Sequence, residues 1–355
     1  MEQEYKYMVC TNCMTYNHAP YIVDAMNGFA MQETTFPVYY LITDDASTDG
    51  EPKVIRQYLS EHFQEPYRTE ETDDYYLICA IHKTNPSCIF IVFLLKYNHY
   101  SIKKSKLPYQ SEWRENAKYI AMCEGDDYWI HPQKLQMQVD VLEAYPNYVL
   151  AHSRFNRLYQ NSGITIPDNF AHENIIATLK ENRDPVIGML NDYDYLVQTC
   201  TALIRKKTFD EVCKSDLVRY RGKFLMGDTQ LWCFLSRKGK FKYFEDVFSV
   251  YRINDGSSCR KKTPKEALRF ILSIQEMRVS VANDLNIPDN YLRKIQSDYK
   301  KILIKYLTLD HHYKIFVPPH FDYTIEKMLF KLSITFPFIV LIGWALQLRD
   351  KLRRV

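Results

Sequence analysis

Apolar runs that end in polar turns alternate with helical patterns along the first part of the chain. Residues 7–14 and 38–43 form short apolar runs typical of buried strands. One helix face follows the first run, with apolar positions at Ile22, Ala25, Met26 and Phe29. A second helix is predicted from about Pro52. Because strand, turn and helix repeat in this order, the pattern predicts a parallel, doubly wound α/β sheet flanked by helices.

Further apolar runs extend this pattern. Strands are predicted at residues 119–123, 149–153, 199–204 and 244–252, and helices from Pro132 and Asp228. Residues 75–80 and 88–95 fit a buried strand or a buried helix, and the second run is too short to cross a bilayer. Ligands bind such sheets at the carboxyl ends of the strands, which is where the polar turns fall.

Helical periodicity dominates from about Thr263, so the sequence predicts a first domain at residues 1–262 and a helical C-terminal region at 263–355. An apolar segment at 334–348 is followed by four basic residues, Arg349, Lys351, Arg353 and Arg354. It is shorter than the roughly 20 residues that span a membrane. Two interpretations stay open: a helix lying on an anionic membrane surface, or a helix packed on the domain.

Composition narrows the class of protein. Hydrophobic residues make up 46% and charged residues 25% of the 355 residues, as in ordinary globular chains. The net charge of +3 gives no argument for a nucleic-acid partner. A polar, acidic N-terminus and nine cysteines predict a cytoplasmic protein with free thiols. Cys10 and Cys13 are predicted to be buried thiols rather than a metal or redox pair.

An acidic turn is the first candidate for chemistry. Asp126 and Asp127 directly follow a predicted buried strand, in the turn Glu124-Gly125-Asp126-Asp127. Adjacent carboxylates in such a place are costly unless a cation binds beside them, and Mn²⁺ or Mg²⁺ prefers oxygen ligands. The alternative is a solvated turn in which an aspartate caps the following helix.

Two more acidic positions lie at predicted element ends. Asp44 and Asp45 follow the second strand, where a carboxylate can accept from a base N–H or a ribose hydroxyl, and Tyr16 on the neighbouring loop can stack on a base. Asp228 begins a predicted helix, which suits a general base. The alternatives are a turn that caps the next helix and a simple N-cap.

Motifs follow one another in a fixed order over roughly the first 260 residues. They are Thr15-Tyr16-Asn17-His18 with Tyr21-Ile22, Gln32, Asp44-Asp45-Ala46-Ser47-Thr48-Asp49-Gly50, Glu124-Gly125-Asp126-Asp127-Tyr128-Trp129, Lys134-Leu135-Gln136, Gly227-Asp228, and Tyr251-Arg252 before Gly256-Ser257. In order and spacing they resemble the family 2 glycosyltransferases, which have the GT-A fold. The resemblance implies a nucleotide-diphospho-sugar donor, with a UDP-sugar favoured, and inversion at the anomeric carbon.

The resemblance also implies residue roles. Thr15, Tyr16 and Asn17 would line the donor site, with Tyr16 stacked on the base, and Asp44 and Asp45 would bind the base or ribose. The remaining roles fall on four residues: Asp127 as the main metal ligand, Asp126 on the donor sugar or ribose, Arg252 near the diphosphate, and Asp228 as the catalytic base. The implied acceptor is a glycan or lipid-linked hydroxyl in surface polysaccharide or lipopolysaccharide synthesis. The membrane interpretation of the tail, a peripheral contact with the membrane, would agree with such an acceptor.

Two residues depart from the family pattern. Ala46 stands where glycine is frequent, and Asn254 stands where a histidine is frequent, so a metal or phosphate contact at that position would be weakened. Two other functions fit the sequence less well. A sugar-phosphate nucleotidyltransferase is disfavoured because no glycine-rich basic loop follows the first strand, and a non-catalytic nucleotide-sugar-binding protein is disfavoured because every acidic cluster is intact.

Overall fold

A computed structural model describes residues 5–191, 195–254 and 263–309. The predictions for the 334–348 tail and for Gly256-Ser257 lie outside these residues. Two compact units are present. Among the described residues the first holds 5–183, 195–215 and 234–254, and the second holds 184–191, 216–233 and 263–309. The predicted division at residue 262 stays a prediction, although two segments from inside the predicted first domain belong to the second unit.

A mostly parallel sheet forms the centre of the first unit and, within the described residues, has 11 strands. In chain order these are β1 Tyr7–Thr15, β2 Val38–Asp44, β3 Arg68–Glu71, β4 Tyr75–Ile81, β5 Cys88–Leu95, β6 Ala117–Met122, β7 Tyr128–Trp129, β8 Tyr148–Tyr159, β9 Ile164–Pro167, β10 Leu203–Arg205 and β11 Lys240–Ile253. Their order across the sheet is β3-β4-β5-β2-β1-β6-β10-β8-β11-β7, with β9 beside β8. The central four, β5-β2-β1-β6, are parallel, as the sequence predicts.

The described helices follow in the same chain order. They are α1 Ile22–Ala30, α2 Glu51–His62, α3 Leu107–Arg114, α4 Lys134–Ala144, α5 Asn169–Lys180, α6 Pro185–Leu190, α7 Lys206–Lys214, α8 Asp228–Ser236, α9 Pro264–Asp284 and α10 Asp289–Leu309. Helices α6, α9 and α10 belong to the second unit, and α8 begins there. None of the helices in the described ranges is both long and apolar enough to span a membrane.

Both faces of the central strands are covered by helices. Val9 and Cys13 point to one face, where α1, α2 and α4 bury their apolar residues. Cys10 points to the opposite face, where it packs with Trp113 of α3. Two covered faces explain why the parallel strands are continuous apolar runs rather than alternating ones. The predicted burial of the Cys10 and Cys13 thiols is confirmed, and burial raises the pKa of Cys10 to about 12.

One predicted strand is wrong. Residues 199–204 do not form a continuous strand, because Thr199–Thr201 is a 3₁₀ turn and only Leu203–Arg205 pairs in the sheet. The carbonyl of Cys200 accepts hydrogen bonds from the side chains of Trp129 (2.8 Å) and Ser249 (2.9 Å). Side chains from distant elements therefore bind the backbone carbonyl that would otherwise accept a hydrogen bond from a neighbouring strand. The two ambiguous runs, at 75–80 and 88–95, are strands β4 and β5.

Candidate functional site

Three loops meet where the adjacent parallel strands β2, β1 and β6 end. They are residues 15–21 after β1, 44–51 after β2, and 123–127 after β6, and together they are called the three-loop site. Hydrogen bonds join the first loop to the second, and a backbone hydrogen bond from Gly125 to Met14 (3.0 Å) joins the third to the end of β1. The polar residues that the sequence places at this edge are therefore brought together.

Glu51 connects two of these loops from a fully buried position at the first turn of α2. One carboxylate oxygen accepts from the Thr15 hydroxyl. The other accepts from the backbone N–H of His18 and from the Ser47 hydroxyl, both at 2.8 Å. A helix N-terminus favours an ionised carboxylate. Glu51 therefore anchors the backbone around the site by accepting hydrogen bonds from both loops.

Asn17 holds the first loop against the second. Its φ of 57° lies in the left-handed region that asparagine tolerates better than most residues. The Asn17 N–H donates to the Ser47 hydroxyl (2.8 Å), and its side-chain oxygen accepts from the Thr48 N–H (2.8 Å). Tyr16, the preceding residue, is 44% exposed. The loop thus presents an aromatic ring to solvent from a fixed backbone.

Asp44 is fully buried at the end of β2. Its carboxylate accepts from the Ser47 N–H at 3.2 Å, within the turn that precedes α2. This is not the capping that the sequence leaves open as an alternative, because α2 begins after Gly50 without a side-chain cap. Burial raises the pKa of Asp44 to about 6 in spite of this hydrogen bond. The carboxylate is therefore held in a position where its charge is costly.

Asp45 binds the loop between β5 and α3, residues 96–106. Its two oxygens accept from the backbone N–H of His99 (2.8 Å) and of Tyr100 (3.1 Å). The Lys106 ammonium lies 2.9 Å from the same carboxylate. The loop at 96–106 therefore lies beside the three-loop site, and Asp45 fixes its backbone. The sequence assigned no role to this loop.

Close packing fixes the acidic turn. A Cβ added at Gly125 would lie 2.5 Å from the Thr15 Cβ and 3.2 Å from Nδ1 of His18, so only glycine fits. Trp129, which ends the turn, is 1% exposed and packs edge-on against Phe29 with ring centroids 4.9 Å apart. The turn is thus clamped between β1 and the core.

Asp127 is almost enclosed, with 3% of its surface exposed. One of its oxygens accepts from the backbone N–H of Arg252 at 2.8 Å. Burial, followed by the charges of Asp126 and Glu124, raises the pKa of Asp127 well above its usual range. A nearby cation would relieve this electrostatic cost.

Asp126 is the more open of the two carboxylates, with a side chain that is 17% exposed. Its Oδ2 lies 3.8 Å from Nε2 of His18 and accepts from the Asn254 side-chain amide at 3.2 Å. Asn254, the departure from the family pattern, therefore does contact the acidic turn.

Arg252 lies beneath this turn and is 4% exposed. Its guanidinium donates to the Asp126 carbonyl (2.7 Å), to Asp24 (2.6 Å) and to Gln160. It also lies over the Tyr21 ring, 4.7 Å from the centroid. The guanidinium therefore joins the acidic turn to α1 and to the end of β8.

Asp228 begins α8 in the second unit and is described apart from the three-loop site. It is partly buried, and burial raises the pKa of Asp228. Its carboxylate accepts from the Thr229 N–H at 2.8 Å, as expected near a helix N-terminus.

Sequence reasoning assigned no role to His18 and did not single out Glu51 or Lys106. A signal existed for Glu51, since this glutamate lies directly before the helix predicted from about Pro52. The contacts of His18 and Lys106 depend on neighbouring strands, and no local pattern indicates them.

The residues of the acidic turn fit a divalent cation that arrives with phosphate oxygens. Among the described residues, no group of three or more His, Cys, Asp or Glu side chains could hold a metal by itself. Magnesium-type sites are usually built from one or two carboxylates, completed by waters and substrate phosphates. Asp126 and Asp127 supply two adjacent carboxylates, and the charge of the enclosed Asp127 would be stabilised by such an ion.

No protein-family model matches the chain. Among curated proteins it is similar to Uncharacterized protein Rv1520 of Mycobacterium tuberculosis and Uncharacterized protein Mb1547 of Mycobacterium bovis. Each is 27% identical over 202 residues, which is 56% of this chain and 47% of the relative. The chain thus spans about half the length of the curated relatives it matches.

Among solved structures the chain is similar to residues 1–349 of S. aureus TarS in complex with UDP-GlcNAc. That match has a TM-score of 0.49 and 11% identity, over 87% of this chain and 76% of the other. The mannosyltransferase PcManGT from Pyrobaculum calidifontis, in complex with GDP-Man and Mn²⁺, matches with a TM-score of 0.48 and 12% identity, over 99% and 92%. Because both TM-scores are below 0.5, the site is argued from this chain's own residues.

Proposed function

We propose that the chain is a glycosyltransferase that uses a nucleotide-diphospho-sugar and a divalent cation, and that transfers the sugar to a hydroxyl with inversion. One observation carries the proposal. The three-loop site places an exposed aromatic ring and a rigid pair of acidic carboxylates at one edge of a parallel sheet, where such folds bind ligands. The motif resemblance to family 2 glycosyltransferases supports the same assignment.

The nucleotide would bind along the first two loops. Tyr16 has the exposure that stacking on a base requires. Asp44 and Asp45 lie beside it, and a carboxylate has about four lone-pair directions, so Asp45 retains acceptor capacity beyond its protein contacts. Thr15 and Asn17 would act by holding the loop backbone. We favour a UDP-sugar as donor.

The diphosphate would lie against the acidic turn. A cation bound there would neutralise the charge that develops on the departing diphosphate. Asp127 would be its main protein ligand, and Asp126 would face the cation or the donor hydroxyls. Arg252 would act from below by fixing the Asp126 carbonyl and the Asp127 carboxylate in place.

Asp228 would take the proton from the acceptor hydroxyl. Burial raises the pKa of Asp228, which makes its carboxylate a better proton acceptor than an ordinary one. The acceptor would be a glycan or lipid-linked sugar of a surface polysaccharide or lipopolysaccharide. The enzyme would work in the cytoplasm, with the tail at 334–348 in peripheral contact with the inner membrane face.

A donor panel tests this function. The purified chain should release nucleoside diphosphate from one class among UDP-, GDP- and dTDP-sugars, and the rate should rise with Mn²⁺. Turnover of none of the donors, with tight binding of one, would support a binding protein instead. Pyrophosphate formation from a nucleoside triphosphate and a sugar phosphate would favour a nucleotidyltransferase.

A further inference from the structure

His99 is the most enclosed residue of the loop at 96–106, with none of its surface exposed. Its backbone N–H donates to one oxygen of Asp45 (2.8 Å), and the next N–H, that of Tyr100, donates to the other oxygen (3.1 Å). Whatever fixes the His99 ring therefore also fixes the backbone that holds Asp45, the carboxylate proposed to bind the base or ribose of the donor.

The first ring nitrogen of His99 can only donate a hydrogen bond. Nδ1 lies 2.8 Å from the backbone carbonyl of Tyr97, and a carbonyl oxygen has no proton to give. The Tyr97 ring also stacks on the imidazole, with centroids 4.6 Å apart and planes inclined by 13°. An aromatic face so close to the imidazole favours a positive charge on it.

The second ring nitrogen, Nε2, lies 3.1 Å from the Tyr109 hydroxyl of α3, which is also 2.6 Å from Oδ2 of Asp74. Hydrogen bonds, chiefly from Lys104 and Tyr109, hold the pKa of Asp74 well below its usual range, so its carboxylate only accepts. Burial and the hydrogen bond to Asp74 raise the pKa of Tyr109, which keeps its proton. That proton is donated to Asp74, so the Tyr109 oxygen can only accept from Nε2.

The charged groups on the elements around His99 balance one another. Asp74, between β3 and β4, lies 2.8 Å from the Lys104 ammonium, and Asp45, after β2, lies 2.9 Å from that of Lys106. Two carboxylates and two ammonium groups leave little net field at the ring. The two hydrogen bonds therefore determine how many protons His99 carries.

We propose that His99 is a positioning residue for nucleotide binding, held as an imidazolium that donates from both ring nitrogens and thereby fixes the backbone that binds Asp45. The inference rests on the proposed function, which assigns Asp45 to the donor. A neutral imidazole has one N–H and would leave either the Tyr97 carbonyl or the Tyr109 hydroxyl without its donor. The fixed loop thus holds one more proton than a loosened loop, so a rise in pH favours the loosened loop.

The first test observes the ring nitrogens by NMR of the full chain labelled with ¹⁵N-histidine, without nucleotide. At neutral pH both nitrogens of His99 should carry a proton, and the signal is assigned by its loss in His99→Asn. His82, at the opposite end of the β4–β5 pair, is the matched control. Its Nδ1 accepts from the Asn85 N–H (3.1 Å) and burial lowers its pKa, so its ring should carry one proton. A single proton on His99 would overturn the inference and leave the proposed function standing.

The second test measures UDP binding to the full chain by calorimetry at about pH 6 and about pH 8, on either side of the usual histidine titration. His99→Asn keeps a donor towards the Tyr97 carbonyl but lacks Nε2. Its UDP affinity at the lower pH should be about tenfold weaker, as the loss of one charge-assisted hydrogen bond implies. Its affinity should also fall less with pH than that of the wild type, and His82→Asn should match the wild type.

Equal affinity and equal pH dependence in the wild type and a folded His99→Asn variant would overturn the positioning role. Absence of UDP binding in the wild-type chain, with two protons observed on His99, would instead overturn the proposed donor and with it the positioning role.

Discussion

At the scale of single residues, the site depends on a close contact between glycine and threonine. Gly125 lies so near the Thr15 side chain that a Cβ would overlap it. Thr15 in turn contacts both Glu51 and His18. A change at position 125 would therefore be transmitted to the first two loops as well as to the acidic turn.

We predict that Gly125→Ala lowers donor turnover about 100-fold, since misplacing catalytic groups by about 1 Å has effects of that order. Overpacking should also reduce the free energy of unfolding by about 1–3 kcal/mol. Nucleoside diphosphate release and thermal unfolding measure the two effects.

Gly163→Ala is the matched control for this prediction. Gly163 has a φ of +67° and open space around it, so alanine there strains the backbone at an exposed turn without touching the site. It should cost roughly 1–2 kcal/mol of stability and leave turnover intact. Normal turnover in a folded Gly125→Ala variant would show that the contact has no functional role.

Residue types could be interpreted from the sequence better than residue contacts could. The polar character of Thr15, Asp44 and Asp127 at strand ends followed from the apolar pattern. The contact of Thr15 with Glu51 could not be predicted, because it depends on the register that places Thr15 beside Asp44 across β1 and β2.

At the scale of elements, the loop at 96–106 is tied to the site through Asp45, whose backbone carbonyl also accepts from the Asn98 side chain at 3.1 Å. Asp45 accepts two backbone N–H groups from the loop and pairs with its Lys106. Hydrogen bonds to a charged acceptor contribute about 1.5–3 kcal/mol each, so this carboxylate should contribute strongly to the local stability of the loop around His99 and Tyr100.

We predict that Asp45→Ala speeds amide hydrogen exchange in residues 96–106 at least tenfold, because each 1.4 kcal/mol of lost local stability corresponds to about a factor of ten. Mass spectrometry of the corresponding peptide measures it. Asp49→Ala, which removes a carboxylate at the same sheet edge that binds Ala19, should leave this peptide unchanged. Equal protection in both variants would disprove the anchoring role of Asp45.

The sequence predicted helices and strands correctly where an apolar pattern extended over many residues. The prediction failed where side chains, instead of a neighbouring strand, form hydrogen bonds with the backbone. The α1 face at Ile22, Ala25, Met26 and Phe29 is buried as its spacing predicts. The run at 199–204 was predicted as a strand, yet the side chains of Gln138, Trp129 and Ser249 donate hydrogen bonds to its carbonyls, and its first half is a 3₁₀ turn. Such contacts come from far along the sequence and leave no local pattern.

At the scale of the whole molecule, the chain combines two units that its sequence interleaves. Residues 216–233, including Asp228, lie within the predicted first domain but belong to the second compact unit. Membership of a compact unit depends on contacts in space. The onset of helical periodicity at Thr263 therefore indicated the helical region, but it could not indicate that residues 184–191 and 216–233 belong to the same unit. The proposed cation site and the proposed base thus lie in different units.

The measurement that tests the central proposal most directly is Mn²⁺-dependent release of nucleoside diphosphate by three variants on the preferred donor. Asp127→Asn should lower kcat/KM at least 100-fold and remove the stimulation by Mn²⁺, because the cation loses its main ligand. Asp228→Asn should lower transfer to an acceptor by about 100-fold or more, in line with the loss of a general base. Asp140→Asn, at an exposed position of α4, should behave as wild type. Full, Mn²⁺-stimulated activity in the Asp127 variant would contradict the assignment of the acidic turn as the cation site.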